Sequence, residues 1–158
     1  MKNKEEKTNA MRLLEQKKLK FKIHDYSHSD IISGLEVADY LNENPARVFK
    51  TLVTVGKSDN HYVFLVPVDK ELDLKKAAKA VNEKNISMIK SRELLPLTGY
   101  IHGGCSPIGM KKYFTTIIDA SAKDFPEIIF SAGKIGFQIE MQLTDLEKVI
   151  QFQLCEIV

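Results

Sequence analysis

The chain has 158 residues, with 23 Lys and Arg against 21 Asp and Glu, so its formal net charge is +2. Hydrophobic residues make up 44% and charged residues 28%, the usage of an ordinary soluble globular protein. No apolar run approaches the roughly 18 residues of a transmembrane helix, and the N-terminus lacks the apolar core of a signal peptide. Two cysteines, Cys105 and Cys155, are too few for a disulfide framework or a thiolate zinc cluster. We expect one cytoplasmic domain over residues 1–158.

The charge is distributed unevenly along the chain. Residues 1–22 hold eight lysines or arginines and three glutamates, a net charge of +5, which leaves −3 for the remainder. A basic segment of this kind could attract a polyanion such as a nucleic acid. The alternative is a solvated helix face with no partner.

Hydrophobic spacing and capping residues predict the elements of the first half of the chain. These are a helix at 8–18, a strand at 21–24, a helix from Ser33 to about Asn42, a short turn at Asn44-Pro45, strands at 50–55 and 61–68, and a helix capped by Asp73. Ser33 and Glu36 have the spacing of a capping box, whose helix should bury Leu35. The 61–68 strand is nearly all apolar, which predicts a central strand buried on both faces.

The second half alternates strands with short helices. We expect a strand at 86–89, a helix at 91–95 that ends before Pro96, strands at 100–102, 115–119, 127–131 and 137–141, a short helix opened by a second capping box at Thr144 and Glu147, and a last strand at 152–157. This mixture predicts one α/β domain on a mixed sheet.

Glycine is concentrated in the second half, where six of the eight glycines lie between Gly99 and Gly136. Two segments carry most of them: residues 103–109, Gly-Gly-Cys-Ser-Pro-Ile-Gly, called here the first glycine loop, and residues 131–136, Ser-Ala-Gly-Lys-Ile-Gly, the second glycine loop. Neither has the spacing of a dinucleotide-binding fingerprint or a P-loop. Backbone N–H groups from two such loops can bind a carbonyl oxygen or a developing oxyanion. The alternative is two structural turns.

A lysine stands at the head of an otherwise apolar predicted strand, in the segment Phe49-Lys50-Thr51-Leu52-Val53. Burying an ammonium is costly unless it is paired. Lys50 therefore either extends to solvent along its aliphatic stem or is held in a cleft to meet a polar substrate.

Taken together, these segments resemble the successive motifs of the YbaK/EbsC family. The matching segments are 49–53, 98–100 and both glycine loops, with 23–26 and 72–77 in support. Each is weak alone, but the four in this order and spacing are specific. The resemblance runs from about residue 8 to the C-terminus.

The resemblance implies a free-standing aminoacyl-tRNA deacylase, related to the editing insertion of bacterial prolyl-tRNA synthetase. The implied fold is a single domain with a largely antiparallel, curved or barrel-like sheet flanked by helices. The implied reaction is hydrolysis of Cys-tRNA(Pro), because cysteine is close to proline in size and a binding pocket alone discriminates such pairs weakly. The partner would be the acceptor end of tRNA(Pro), bound by the protein either alone or docked on prolyl-tRNA synthetase, with no cofactor, metal or membrane.

The resemblance also assigns residues. Lys50 corresponds to the essential lysine of the family and would hold the acyl ester or the nearby phosphate-ribose end by charge-assisted hydrogen bonds. The other residues expected to bind substrate are Tyr26, Phe49, Thr51, Gly103, Gly104, Ser106, Pro107, Gly109, Ser131, Gly133 and Gln138. The attacking group would be the thiol of the cysteinyl substrate or a positioned water.

One position departs from the family pattern. Where the family often has aspartate after the second glycine loop, this chain has Gln138, which can donate and accept hydrogen bonds but cannot act as a base or a counter-charge. Two alternative functions therefore stay open: a deacylase for another small aminoacyl-tRNA such as Ala-tRNA(Pro), and a non-catalytic module that binds tRNA or a synthetase.

The remaining candidate residues favour structural roles. Cys105 with His102 suggests a thiol nucleophile, but no third residue would orient the imidazole. His24, His28 and His61 lack the spacing of metal ligands. Lys111 and Lys112 could contact the acceptor end of a tRNA, although an exposed lysine pair is more often solvated surface.

Overall fold

The structure is a computed structural model that describes residues 7–158. The helices are α1 (Asn9–Gln16), α2 (Gly34–Tyr40), α3 (Leu74–Ala80), α4 (Ser91–Thr98) and α5 (Leu143–Leu146), with short 3-10 turns at Pro45–Arg47 and Ala120–Asp124. The strands are β1 (Lys22–Asp25), β2 (Phe49–Gly56), β3 (His61–Pro67), β4 (Ile86–Met88), β5 (Thr115–Asp119), β6 (Glu127–Ser131), β7 (Phe137–Gln142) and β8 (Gln153–Cys155). The start of the basic segment, with Lys2 and Lys4, lies outside the described residues.

The strands form two sheets. Three strands in the order β1-β7-β6 make an antiparallel sheet, and five in the order β4-β2-β3-β5-β8 make a mixed sheet, in which β5 pairs in parallel with both β3 and β8. A parallel bridge between Val48 and Ile129 joins the two sheets where β2 begins. The expected single α/β domain with a mixed sheet is confirmed, and the sheet is divided in two.

The main core fills the space between the two sheets. It joins Ala10 and Leu14 of α1 with inward side chains of both sheets, among them Val63, Phe130 and Ile139. The opposite face of the five-stranded sheet buries a second cluster under α3 and the C-terminal segment. The central β3 is therefore buried on both sides, as its apolar sequence predicts.

Three local predictions are wrong for identifiable reasons. Helix α4 continues through Pro96 to Thr98, because proline removes only one backbone donor and the end is closed by Gly99 N–H donating to Leu95 O. Residues 100–102 do not form a strand, since the chain enters a turn at 102–103 that Gly104 N–H closes by donating to Ile101 O.

The third wrong prediction concerns the two capping boxes. Ser33 makes no side-chain cap at the start of α2, and Leu35 is 48% exposed rather than buried. Helix α5 begins at Leu143, so Thr144 lies inside the helix instead of capping it. Within residues 7–158, no helix has both the length and the apolar character that crossing a bilayer requires.

Candidate functional site

A cavity of about 450 Å³ opens where the N-terminal half of β2 meets the first glycine loop and the three-stranded sheet. Its volume is within the range of small-ligand sites. Seven of the predicted residues line it: Tyr26, Phe49, Lys50, Thr51, Gly103, Ser131 and Gln138. Residues from both glycine loops thus face one cavity.

Strand β2 has an open edge at the cavity. Strand β4 pairs with β2 only at Thr54, Val55 and Gly56, and the last contact along this edge is Ile89 N–H to Val53 O at 3.4 Å. Backbone polar groups of alternate residues point to the same side of a strand. The N–H and C=O of Thr51 therefore face the same open edge as those of Val53.

The side chain of Thr51 carries a further polar group. Its Oγ1 is buried and has no hydrogen-bond partner in the described part of the chain. Buried polar atoms are nearly always paired, so this hydroxyl is an exception that the described part of the fold does not satisfy.

Lys50 supplies the positive charge of the cavity. Among the described residues that line it, Lys50 is the only Lys, Arg, Asp or Glu. Its side chain is 29% exposed, and its Nζ lies 3.6 Å from Oε2 of Glu71, whose side chain is 94% exposed. A solvent-exposed ion pair is weak, so the Lys50 ammonium is available to bind an anionic or carbonyl group of a ligand.

The opposite wall is formed by paired residues of the three-stranded sheet. Ser131 of β6 and Gln138 of β7 are directly opposite each other in register, and both line the cavity. Ser131 Oγ accepts a hydrogen bond from Gly133 N–H at 3.1 Å, which fixes the start of the second glycine loop.

Gln138 is 5% exposed, and its side-chain amide contacts the carboxylate of Glu43, a residue that does not line the cavity. With its amide oriented to match its neighbours, the side-chain nitrogen donates to Glu43 at 2.7 Å to Oε2 and 3.2 Å to Oε1. Burial raises the pKa of Glu43, although the nearby His24, Gln138 and Arg47 act in the opposite direction. No single stretch of sequence signals this contact, because the two residues are 95 positions apart.

A charged network continues along the same face of the sheet. Glu140 accepts from His24 Nε2 at 2.6 Å and from Arg47 Nη1 at 3.0 Å. Burial alone would raise the pKa of Glu140, but the hydrogen bonds from its neighbours outweigh burial and lower this pKa to about 2. His24 is thus held by a carboxylate, and the network braces β1, β7 and the Pro45–Arg47 turn behind the cavity.

The other five predicted residues support the cavity without lining it. Gly104 packs against the second glycine loop, where an added Cβ would lie 2.9 Å from the Ile135 nitrogen, and its own N–H is bound to Ile101 O. Ser106 is fully buried, and its Oγ accepts from Ile108 N–H, while Pro107 is buried beside it.

Gly109 and Gly133 contact other parts of the fold. The Gly109 carbonyl accepts from Asn9 Nδ2 of α1. An added Cβ at Gly133 would lie 2.9 Å from Cε1 of Tyr100. These glycines shape the loops, whereas the predicted residues that line the cavity come from β2, β6 and β7, from Tyr26 just after β1, and from Gly103.

Cys105 lines the cavity, but its environment opposes a nucleophilic role. The thiol is buried, and burial raises its pKa to about 12, partly offset by a hydrogen bond involving Thr98. A thiol with this pKa is protonated at neutral pH, and the thiolate is the nucleophile. His102 also lines the cavity, at its exposed rim.

Sequence reasoning missed several lining residues. Ser33, Met88 and Ser91 contribute to the cavity, as does Ile32, which packs against Gly103. Their positions follow from how α2, β4 and α4 pack around β2, and no local motif signals them.

The fold and the cavity define the class of protein once they are compared with known proteins. A sequence model described as "Aminoacyl-tRNA editing domain" matches residues 28–149, and the chain belongs to this family. By this homology the chain is an aminoacyl-tRNA deacylase of the editing class.

Within that class, the chain is of the YbaK/EbsC type. It is 45% identical over 154 residues, 97% of this chain and 94% of the relative, to the Enterococcus faecalis protein named "Putative Cys-tRNA(Pro)/Cys-tRNA(Cys) deacylase EbsC". It is 25% identical over 118 residues to the proline–tRNA ligase of Lactobacillus helveticus, covering 74% of this chain and 21% of the ligase.

The fold has a close structural match as well. The crystal structure of "a putative trans-editing enzyme for prolyl tRNA synthetase" superposes with a TM-score of 0.83 at 23% identity, covering 94% of each chain. The family and fold predicted from the motifs are confirmed.

Proposed function

We propose that this protein hydrolyses Cys-tRNA(Pro), with Lys50 as the catalytic residue. The observation that carries the proposal is the cavity itself, in which one lysine and the open edge at Thr51 face a wall of Ser131 and Gln138. A cavity of about 450 Å³ suits a small aminoacyl group joined to a terminal ribose. The name of the 45% identical relative supports the choice of cysteine and tRNA(Pro).

Each residue has a role that its position permits. Lys50 binds the ester carbonyl or the phosphate-ribose end by a charge-assisted hydrogen bond. The N–H groups of Thr51 and Gly103 are placed to stabilise the oxyanion that forms when the carbonyl is attacked. Gly104 is not assigned this role, because its N–H is already bound to Ile101 O.

The substrate thiol is the proposed attacking group. Its sulfur forms a bond to the carbonyl carbon, the ester C–O bond breaks, and the thiol proton passes to the ribose oxygen, after which water opens the cyclic thioester. Proximity within one aminoacyl group favours this route. Cys105 takes no part, because its buried thiol stays protonated.

The test is a deacylation assay on Cys-, Ala- and Pro-tRNA(Pro) with the purified protein. We expect rapid loss of cysteine only, and a loss of at least 100-fold in kcat/KM for Lys50→Ala, the size of effect seen when one oxyanion-stabilising group is removed. Lys79→Ala is the matched control, because Lys79 is exposed on α3 and does not line the cavity.

Three outcomes would contradict parts of the proposal. Equal turnover by the wild type and Lys50→Ala would remove the role of Lys50. Turnover of Ala-tRNA(Pro) in place of Cys-tRNA(Pro) would change the substrate, and no turnover of any of the three would favour a non-catalytic module. S-methylcysteinyl-tRNA(Pro) separates the mechanisms, since its blocked thiol resists only the substrate-assisted route.

The proposed setting is the cytoplasm, where tRNA is charged. Selection of tRNA(Pro) would be shared with prolyl-tRNA synthetase, acting as a docking partner. Loss of discrimination among Cys-tRNAs in the absence of the synthetase, and its recovery when the synthetase is added, would support this sharing.

A further inference from the structure

We propose that Glu43 is a positioning residue that turns the carbonyl oxygen of Gln138 toward the cavity, where it accepts a hydrogen bond from the free α-ammonium of the substrate. The proposal rests on the function proposed above and adds to it a basis for recognising an unblocked amino acid. It concerns a residue outside the predicted site, brought there only by the fold.

The first step is the position of Glu43. The residue follows the end of α2, where Asn42 has a positive φ of 57° and Glu43 N–H donates to Ala38 O at 2.8 Å. Backbone bonds therefore fix the base of the Glu43 side chain. Its carboxylate is half-buried and lies against the amide nitrogen of Gln138, and Glu43 does not line the cavity whereas Gln138 does.

The second step is the orientation of the amide. A carboxylate accepts hydrogen bonds and cannot donate them when ionised, so it selects the nitrogen of the amide and rejects the oxygen. Both Glu43 oxygens lie within 3.2 Å of that nitrogen. Since the nitrogen is bound to Glu43, the group that Gln138 can offer to a ligand is its carbonyl oxygen.

The third step is the charge in the cavity. Lys50 is a donor with a positive charge, so it suits the ester carbonyl or a phosphate and repels an ammonium. An aminoacyl ester carries both kinds of group. The Gln138 carbonyl supplies the acceptor that Lys50 cannot, and the negative Glu43 behind the amide strengthens this acceptor by polarising it.

Burial and three neighbouring charged residues influence the pKa of Glu43. Burial raises the pKa of Glu43 and the nearby Glu140 acts in the same direction, whereas His24 and Arg47 favour the charged form. The test below is therefore run at one fixed pH with the charge removed by substitution.

The probes are two analogues that cannot be hydrolysed as esters: the cysteinyl amide of 3′-amino-3′-deoxyadenosine, and the same amide made with 3-mercaptopropionic acid, which lacks the α-amino group. Binding of each is measured by calorimetry. We expect the wild type to bind the amino form about tenfold more tightly, as for one hydrogen bond to a charged group.

Glu43→Gln keeps the size of the side chain but replaces the carboxylate by an amide. This amide can bind either the nitrogen or the oxygen of the Gln138 amide, so it no longer fixes the orientation of Gln138. We expect it to reduce the tenfold preference to about twofold, and Gln138→Leu to do the same. Adding Glu43→Gln to Gln138→Leu should not lower the preference for the amino form any further, because Glu43 acts through Gln138. Glu36→Gln is the control: Glu36 is exposed on α2, shares a second surface pocket with Glu43, and does not line the cavity.

Three results would overturn the positioning role. They are no preference for the amino form in the wild type, an unchanged preference in Glu43→Gln, and additive effects in the double variant. The assay is independent of turnover. If the protein prefers the amino analogue but does not hydrolyse Cys-tRNA(Pro), only the proposed function is overturned. If it hydrolyses Cys-tRNA(Pro) but binds both analogues equally, only the role of Glu43 is overturned.

Discussion

The ring of Tyr100 lies directly against Gly133, so that a Cβ added at Gly133 would stand 2.9 Å from Cε1 of the tyrosine. On its other side, the Tyr100 hydroxyl donates to Ile108 O at 2.5 Å. Burial raises the pKa of Tyr100 to about 12, with a smaller contribution from Cys105, which keeps the hydroxyl a donor at neutral pH. One tyrosine therefore sets the spacing between the two glycine loops that bound the cavity.

This contact predicts a large cost for Gly133→Ala. Gly133 has a φ of +106°, which an alanine adopts only under strain, and the added methyl group also meets the Tyr100 ring. We expect a loss of about 3 kcal/mol or more in the free energy of unfolding, from strain plus overpacking. Denaturant unfolding measures it.

Gly99→Ala is the matched control for that prediction. Gly99 also has a positive φ, +84°, but an added Cβ there meets nothing within 4 Å. Only the strain remains, which should cost about 1–2 kcal/mol. If the two variants lose the same stability, the ring contact contributes nothing and the spacing role of Tyr100 is wrong.

Cys105→Ala tests whether the cavity thiol takes part in the reaction. Because the pKa of this buried thiol is about 12, we expect kcat for Cys-tRNA(Pro) to stay within about threefold of the wild type, whereas loss of a covalent nucleophile costs many orders of magnitude. We also expect slow alkylation of Cys105 by iodoacetamide at neutral pH, followed by mass spectrometry. Rapid alkylation with loss of turnover would restore the thiol mechanism.

The basic segment makes a separate prediction. Four lysines of this segment are exposed: Lys17, Lys18, Lys20 and Lys22. Lys22 makes a solvent-exposed ion pair with Glu127 at 3.8 Å. If they contact tRNA phosphates, changing all four to Gln should lower affinity and reduce the slope of log K against log salt by up to about 3. Filter binding at several salt concentrations gives the slope.

The control replaces four exposed lysines elsewhere, Lys57, Lys75, Lys79 and Lys84, which removes the same charge. An unchanged slope in the first variant, or an equal change in both, would favour the solvated helix face. The distinction is needed because the net charge of +2 says little about nucleic-acid binding.

The strands could be predicted from the sequence because their signals are local. Residues 115–119 and 127–131 match β5 and β6 at both ends, since β-branched and aromatic residues are bounded there by polar or turn residues. Asp73 caps α3 as expected, accepting from the N–H groups of Lys75 and Lys76. The division into two sheets has no local signal, because it depends on which strands pair.

Local signals misled where tertiary contacts decide. Pro96 stops an isolated helix, but in α4 the loss of one donor is tolerated within a packed segment. The motif residues Gly104, Ser106 and Gly109 do not line the cavity and contact the fold itself, and their binding of substrate stays a prediction. Glu43 was not a candidate because only the tertiary structure brings it to Gln138.

The last prediction concerns pH and the network behind the cavity. The folded-state pKa of Glu140 is about 2, below its ordinary value of 4.5, so this carboxylate stabilises the fold when it is ionised. The stabilisation is fully present above about pH 4.5 and is lost as the pH falls toward 2. We expect Glu140→Gln to lose about 1–3 kcal/mol at pH 7, as for hydrogen bonds to a charged group.

The difference in unfolding free energy between wild type and Glu140→Gln should therefore shrink steadily from pH 4.5 to pH 2. Glu15→Gln is the control, since its ion pair with Lys7 is at the surface and contributes about 0–1 kcal/mol. Urea unfolding across this pH range measures both. A difference that stays constant with pH would mean that Glu140 acts by packing, and that the bonds from His24 and Arg47 add no net stability.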